Sequence, residues 1–210
     1  EILSAQRSRR LTILVGSYKY SSALADQPSV HIDNVAAAKD ATTYLISQGH
    51  EKIAKDYGQE NTLLTKDREL GYRAAMKQAG LSIRDGWVTE GQLAINGARQ
   101  ATRKLLNHAD RPTAIFCAND EMAIGCLHEI KAAGLRVPED ISVMGFDDIR
   151  YAEVSDPPLT TISQPAEEIG ERVMYRLCKR IEEGRGNGDD ETQIVPHKLV
   201  IRQSVARPAG

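Results

Sequence analysis

The sequence has no surplus of positive charge: 27 lysines and arginines stand against 29 acidic residues, a formal net charge of −2 at pH 7. A chain that itself grips a phosphate backbone would be basic. Arg7, Arg9 and Arg10 form the only tight basic cluster, and a run that short reads as a solvated face. Long hydrophobic runs are also missing. Leu11 to Gly16 and Ile141 to Phe146 are strand-sized, against the roughly 20 residues a spanning helix requires, so no membrane partner is expected. The three cysteines, Cys117, Cys126 and Cys178, are odd in number and lack zinc or redox spacing. That pattern suits reduced thiols in a cytoplasm, and no secretory leader opens the sequence.

Catalytic signatures are missing as well. There is no nucleophile elbow, no phosphate-cradling Walker loop and no His-Glu-x-x-His zinc helix, since His128-Glu129 continues as Ile-Lys-Ala. Gly184-x-Gly186-x-Gly188 follows a helix rather than a strand and lies among charges, so it is no dinucleotide fingerprint. His31, His50, His108, His128 and His197 form no local ligand set. No repeat of solenoid period is present. The expectation is a protein with no catalytic residues, no metal and no cofactor.

What is present is an ordinary globular composition, 41% hydrophobic and 27% charged over 210 residues, enough for one large domain or two lobes. The clearest segment begins at Thr113. Thr113 to Ala118 is an apolar run after Arg111-Pro112 and reads as a buried strand. Met122, Cys126 and Ile130 then recur every fourth residue, which predicts a helix from Asn119 to Ala133, capped by Asn119 or Asp120 and ended by Gly134. Ile141 to Phe146 is a second buried strand, parallel to the first.

Upstream, Val35 to Gln48 reads as a helix capped by Asp33 or Asn34 and stopped by Gly49. Tyr72, Ala75, Met76 and Ala79 form one face of another, stopped by Gly80. A further helix runs from about Ala166 to Arg185, followed by a polar loop from Gly184 to Asp190 and a strand from Lys198 to Gln203. The order is α/β. The N-terminal part is thinner: Glu1 to Gln6 reads as the end of a helix, Leu11 to Ser17 as one strand, and Lys52-Ile53-Ala54 as a strand that stops at Lys55-Asp56-Tyr57-Gly58.

In open parallel sheets, ligands bind beyond the carboxyl ends of the strands. Asn119 follows one predicted strand and Asp147-Asp148 the next, so an amide and carboxylates would face one crevice. Such a set suits a polyhydroxylated ligand. Helix capping for Asn119 and turn chemistry for the aspartates are the plainer alternative.

Three longer motifs carry a resemblance. Pro112-Thr-Ala-Ile-Phe-Cys-Ala-Asn-Asp-Glu-Met-Ala-Ile-Gly125, Gly134-Leu-Arg-Val-Pro-Glu-Asp-Ile-Ser-Val-Met-Gly-Phe-Asp-Asp148 and Asp156-Pro-Pro-Leu-Thr-Thr-Ile-Ser-Gln-Pro165 resemble the lactose-repressor-type (LacI/GalR) bacterial transcription regulators. Val30-His-Ile-Asp-Asn34, Gln48-Gly-His50 and Arg68-x-x-Gly71-Tyr72 do so too, and the cytidine and purine repressors look nearest. The resemblance implies a two-lobed type I periplasmic-binding-protein-like fold, with parallel sheets flanked by helices and effector held between the lobes. It places residues 1–33 and 164–190 in an incomplete N-terminal lobe, and 34–163 and 191–210 in the C-terminal lobe. It assigns Arg68, Asn119, Asp147 and Asp33 to the effector.

The implied function is effector sensing by a cytoplasmic regulator that controls operator binding. The effector would be a nucleoside or sugar. The partner set is a homodimer, formed through Met122 or Cys126 of the 120–133 helix, with operator DNA reached only through a headpiece these residues lack. A periplasmic solute-binding protein of the same fold is the alternative. Leu93 stands where many relatives carry an aromatic ring that stacks on the effector, which weighs against a purine base.

Overall fold

The computed structural model describes residues 13–15, 28–58, 63–91, 93–183 and 192–208. In chain order its elements are β1 (Leu14–Val15), β2 (Ser29–His31), α1 (Asn34–Ser47), β3 (Ile53–Tyr57), α2 (Leu63–Gln78), β4 (Val88–Glu90), α3 (Ile95–Leu106), β5 (Ala114–Cys117), α4 (Asp120–Ala132), β6 (Ser142–Met144), β7 (Thr161–Ser163), α5 (Ala166–Glu183), β8 (Gln193–Ile194) and β9 (Lys198–Val200). The expected helix end at Glu1 to Gln6, the arginine cluster and the glycine-rich loop from Gly184 to Asp190 lie outside the described residues.

The chain divides into two compact units, Glu1–Asp33 with Gln164–His197, and Asn34–Ser163 with Lys198–Gly210. In the first unit β1, β2 and β8 form a parallel sheet in that order. The tail boundary expected at residue 191 falls instead at Lys198, because β8 pairs with β2 and carries the segment before it into this sheet.

The second unit has a four-stranded parallel sheet in the order β4-β3-β5-β6. As the pattern predicts, β5 and β6 are parallel and α4 joins them. Side chains alternate across the sheet. On one face Ala54, Ile115, Cys117 and Val143 enter a core with Ala98 and Leu105 of α3 and with Met122, Cys126 and Ile130 of α4. This corrects one expectation: Met122 and Cys126 are wholly buried in their own unit and have no surface to give a partner copy. The exposed side of α4 carries Glu121, His128 and Lys131 instead.

On the other side α1 packs on α2. Ala37, Ala38, Ala41 and Leu45 face inward from α1, and the helices approach so closely that a Cβ on Gly71 would stand 2.3 Å from the Val35 carbonyl oxygen. Antiparallel β7 and β9 sit beside β6, joined to its strand line by bridges from Thr160 to Met144 and from Ser163 to Asp147.

The third strand departs from the sequence reading. Lys55 and Asp56 were expected to end it, yet β3 runs through both to Tyr57, paired with β4 on one side and β5 on the other. A central strand with both edges paired satisfies its backbone, and that outweighs the poor strand preference of Lys and Asp. The consequence is two buried ionisable groups on opposite faces. The Lys55 amine rests 4.1 Å from the centre of the Phe116 ring and has no hydrogen-bond partner among the described residues. Asp56 Oδ1 accepts from the Thr89 hydroxyl at 3.2 Å, while Oδ2 has no hydrogen-bond partner among the described residues. Burial, aided by repulsion from Arg68, lowers the Lys55 pKa to about 7. Burial raises that of Asp56 to about 8, against the pull of Lys55.

Candidate functional site

The ends of β5 and β6 carry the polar groups that the parallel-sheet rule points to. Arg68, in the second turn of α2, is 2% exposed, which is rare for a guanidinium unless it is paired. Its Nε donates to Asn34 Oδ1 at 3.1 Å and its Nη2 to Asp147 Oδ1 at 3.2 Å. Nη1 donates to the Ala118 carbonyl at the end of β5. The guanidinium carbon lies 3.5 Å from the centre of the Phe146 ring, which stacks on Phe116 with ring centres 6.5 Å apart. Burial lowers the Arg68 pKa, and the Asp147 carboxylate pulls it back up.

Asp147 is the outward member of this pair, its side chain 31% exposed against 3% for Arg68. Its backbone has φ 109° and that of Asp148 φ 58°. Both are left-handed conformations that non-glycine residues adopt at a cost. The turn is fastened by Asp147 N–H donating to the Ile162 carbonyl at 2.8 Å. Asp148 accepts from Arg202 Nη2 at 2.8 Å.

Asn119 caps α4, its Oδ1 accepting from Met122 N–H at 2.8 Å. The capping alternative is therefore real for this residue, yet it uses the oxygen and leaves the NH2 group to donate elsewhere. The structure thus joins Arg68 to Asp147 directly and sets Asn119 one residue beyond the carbonyl that Arg68 holds. Asp33 is exposed and is the last residue of the first unit before the chain passes into the second.

Sequence reasoning missed Asn34, Phe146 and Asp120 as members of this site. Asn34 and Asp120 stood inside the quoted motifs but read as helix caps, and Phe146 as a strand residue; their contacts join segments far apart in sequence. At the opposite ends of the strands, buried His50 bonds to Thr113 Oγ1 at 2.9 Å, Ser142 Oγ at 3.1 Å and the Ala206 carbonyl at 2.8 Å. That is a structural clasp for the C-terminal segment. A cavity of about 460 Å3 lies along the β4 edge against α3, and none of the four predicted residues lines it. Among the described residues, no group of three or more His, Cys, Asp or Glu side chains is placed to hold a metal ion, and no helix is long and apolar enough to cross a membrane.

Leu93, at φ 53°, packs over Gly58, where a Cβ would lie 2.1 Å from Leu93 Cδ2. An aliphatic chain thus covers the end of β3.

Comparison with known proteins extends these observations. Residues 42–205 match the family described as a periplasmic binding protein-like domain. The chain is 37% identical over 201 residues to the HTH-type transcriptional repressor CytR of Escherichia coli K12, covering 96% of this chain and 58% of that protein. It is 48% identical over 141 residues to the ribose operon repressor of the same strain, covering 67% of this chain and 43% of that one. The solved structure of a LacI family transcriptional regulator from Enterococcus faecium with bound ribose aligns with a TM-score of 0.84 at 28% identity, covering 98% of this chain and 74% of that chain. The chain spans about half the length of the curated relatives it matches.

Proposed function

Because the chain belongs to the periplasmic-binding-protein-like family, in its lactose-repressor-type (LacI/GalR) branch, we propose that it is the effector-sensing core of a transcription regulator. Its effector is a small hydroxylated molecule, a sugar or a nucleoside. The observation that carries this reading is the Arg68–Asp147 pair at the strand ends, with a buried guanidinium holding a partly exposed carboxylate. A carboxylate so held can accept hydrogen bonds from ligand hydroxyls, the Asn119 NH2 can donate to a ligand oxygen, and Arg68 holds Asp147 in place through its Nη2. Asp33 joins this set by family resemblance alone. The site includes no activated nucleophile or acid–base pair, and the relatives named above are repressors rather than enzymes. The same relatives favour a regulator over a solute-binding protein.

Control of operator binding requires that the effector bind one state of the regulator more tightly than another. The regulator works in the cytoplasm as a homodimer and touches operator DNA through a helix-turn-helix segment, not through the strand-end site.

The test is titration calorimetry with D-ribose, cellobiose, cytidine and adenosine, after a thermal-shift screen of the same compounds. Replacing Asp147 or Arg68 by alanine should weaken the binding compound by about 1–3 kcal/mol, the cost of leaving a polar partner unpaired. Unchanged affinity in both variants would exclude the site.

A further inference from the structure

Asp120 opens α4 and is completely buried. Its Oδ1 accepts from the Thr161 hydroxyl at 2.6 Å and its Oδ2 from Ile149 N–H at 2.8 Å, while its own N–H donates to the Phe146 carbonyl at 2.8 Å. The carboxylate fits only because residue 145 is glycine: a Cβ there would stand 2.1 Å from Oδ1. Ile149 lies just beyond the two left-handed residues Asp147 and Asp148. Thr161 opens β7, after which the chain leaves this unit at Ser163. Asp120 is therefore bonded at once to the segment that carries Asp147 and to the last strand before the crossing.

We propose that Asp120 is a positioning residue for effector capture, holding the Asp147 segment and β7 in one fixed arrangement. This rests on the reading of Asp147 as an effector contact. The segment from Gly145 to Arg150 does not hold its own shape, because left-handed backbone at two aspartates is unfavourable without outside support. The support is tertiary. Gly145 N–H donates to the Thr160 carbonyl at 2.9 Å and Asp147 N–H to the Ile162 carbonyl at 2.8 Å, so β7 supplies one side. Asp120 supplies the other and also grips β7, closing a ring of contacts through α4. The charged groups around it are Asp147 and Asp148 of the same segment, Arg68 from α2, and Arg202, which pairs with Asp148.

Substitutions distinguish this role from packing. In Asp120→Asn the amide oxygen can accept from Ile149 N–H and the NH2 can donate to the Thr161 oxygen, so both contacts survive in the same shape. In Asp120→Ala neither does. Hydrogen exchange of the full chain, read over residues 145–150, should accelerate ~10-fold or more in Asp120→Ala and stay near wild type in Asp120→Asn, the effect of losing one to two net hydrogen bonds. Thr161→Val removes one contact from the far side; it should loosen the same segment to a lesser degree, and it serves the comparison with Asp120→Asn should Asp120→Ala not fold. Affinity for D-ribose or cytidine should fall with the loosening and be retained in Asp120→Asn. Wild-type exchange in Asp120→Ala and Thr161→Val overturns the proposal, as does equal loosening in Asp120→Asn. Asp147→Ala separates the two claims: retained ligand binding there would refute the effector contact while leaving the exchange result to judge Asp120.

Discussion

Replacing Lys55 with methionine should make the protein more stable, an unusual outcome for a fully buried position. The unfolded lysine titrates near 10.5 and the folded one near 7. At ~1.4 kcal/mol for each tenfold change in a protonation equilibrium, keeping this amine in the core costs about 4 kcal/mol at pH 7. Methionine has similar length and no charge, so it can follow the same path across Phe116. The lost contact between the amine and the ring returns about 1 kcal/mol, leaving a net gain of about 3 kcal/mol, a large share of a typical domain's stability. The sign follows from linkage. The folded pKa is depressed below the unfolded one, so the wild-type penalty is complete below pH 7 and fades as pH rises toward 10.5. Urea denaturation at pH 7 and at pH 9.5 reads both quantities. Lys55→Met should be more stable at pH 7, and its advantage should shrink to about 1 kcal/mol at pH 9.5. A less stable variant, or an advantage that ignores pH, would refute the reasoning and show the ammonium to be well accommodated where it lies.

Three further outcomes are expected. Gly145→Ala should cost about 1–3 kcal/mol in denaturant unfolding, since the new methyl meets both Asp120 Oδ1 and, at 2.7 Å, Leu159 Cδ2; a neutral result would mean that this contact yields freely. Burial raises the Asp120 pKa to about 6 against the pull of its two hydrogen bonds, so its share of stability is complete below pH 3.8 and is lost as pH rises through 6. Asp120→Asn should flatten that part of the stability profile between pH 4 and 7, and a profile that keeps its wild-type slope would count against the raised value. Sedimentation velocity at micromolar concentration should give a dimer whose boundary is unaffected by Cys126→Ser, because Cys126 is buried within its own unit; a monomer would remove the homodimer from the proposed function.

Much of the second unit was legible because its signals are local. The apolar run ending at Ala118, the four-residue recurrence of Met122, Cys126 and Ile130, and the second run to Phe146 specify strand, helix and strand through side-chain periodicity alone. The stops at Gly49, Gly80 and Gly134, all with positive φ, follow from the backbone freedom of glycine. Asn119 and Asp147 could be named because they stand in recognisable motifs at predicted strand ends, and Arg68, inside α2, only because of its motif.

What residues far apart in sequence do to one another was settled only in three dimensions. Local preference would end β3 at Ala54, but pairing on both edges draws Lys55 and Asp56 into the sheet. Periodicity told that Met122 and Cys126 share an apolar face of α4, and could not tell whether a partner copy or the unit's own sheet covers it; the sheet does. The sequence by itself determined the α/β order and the strand ends that bear polar groups, since both depend on neighbours along the chain. Only the tertiary structure decided that Asn34, Ala118 and Asp147 meet on one guanidinium, and that Asp120 binds Ile149 and Thr161, because a hydrogen bond between distant segments is set by how helices and strands pack and leaves no periodic trace in either segment.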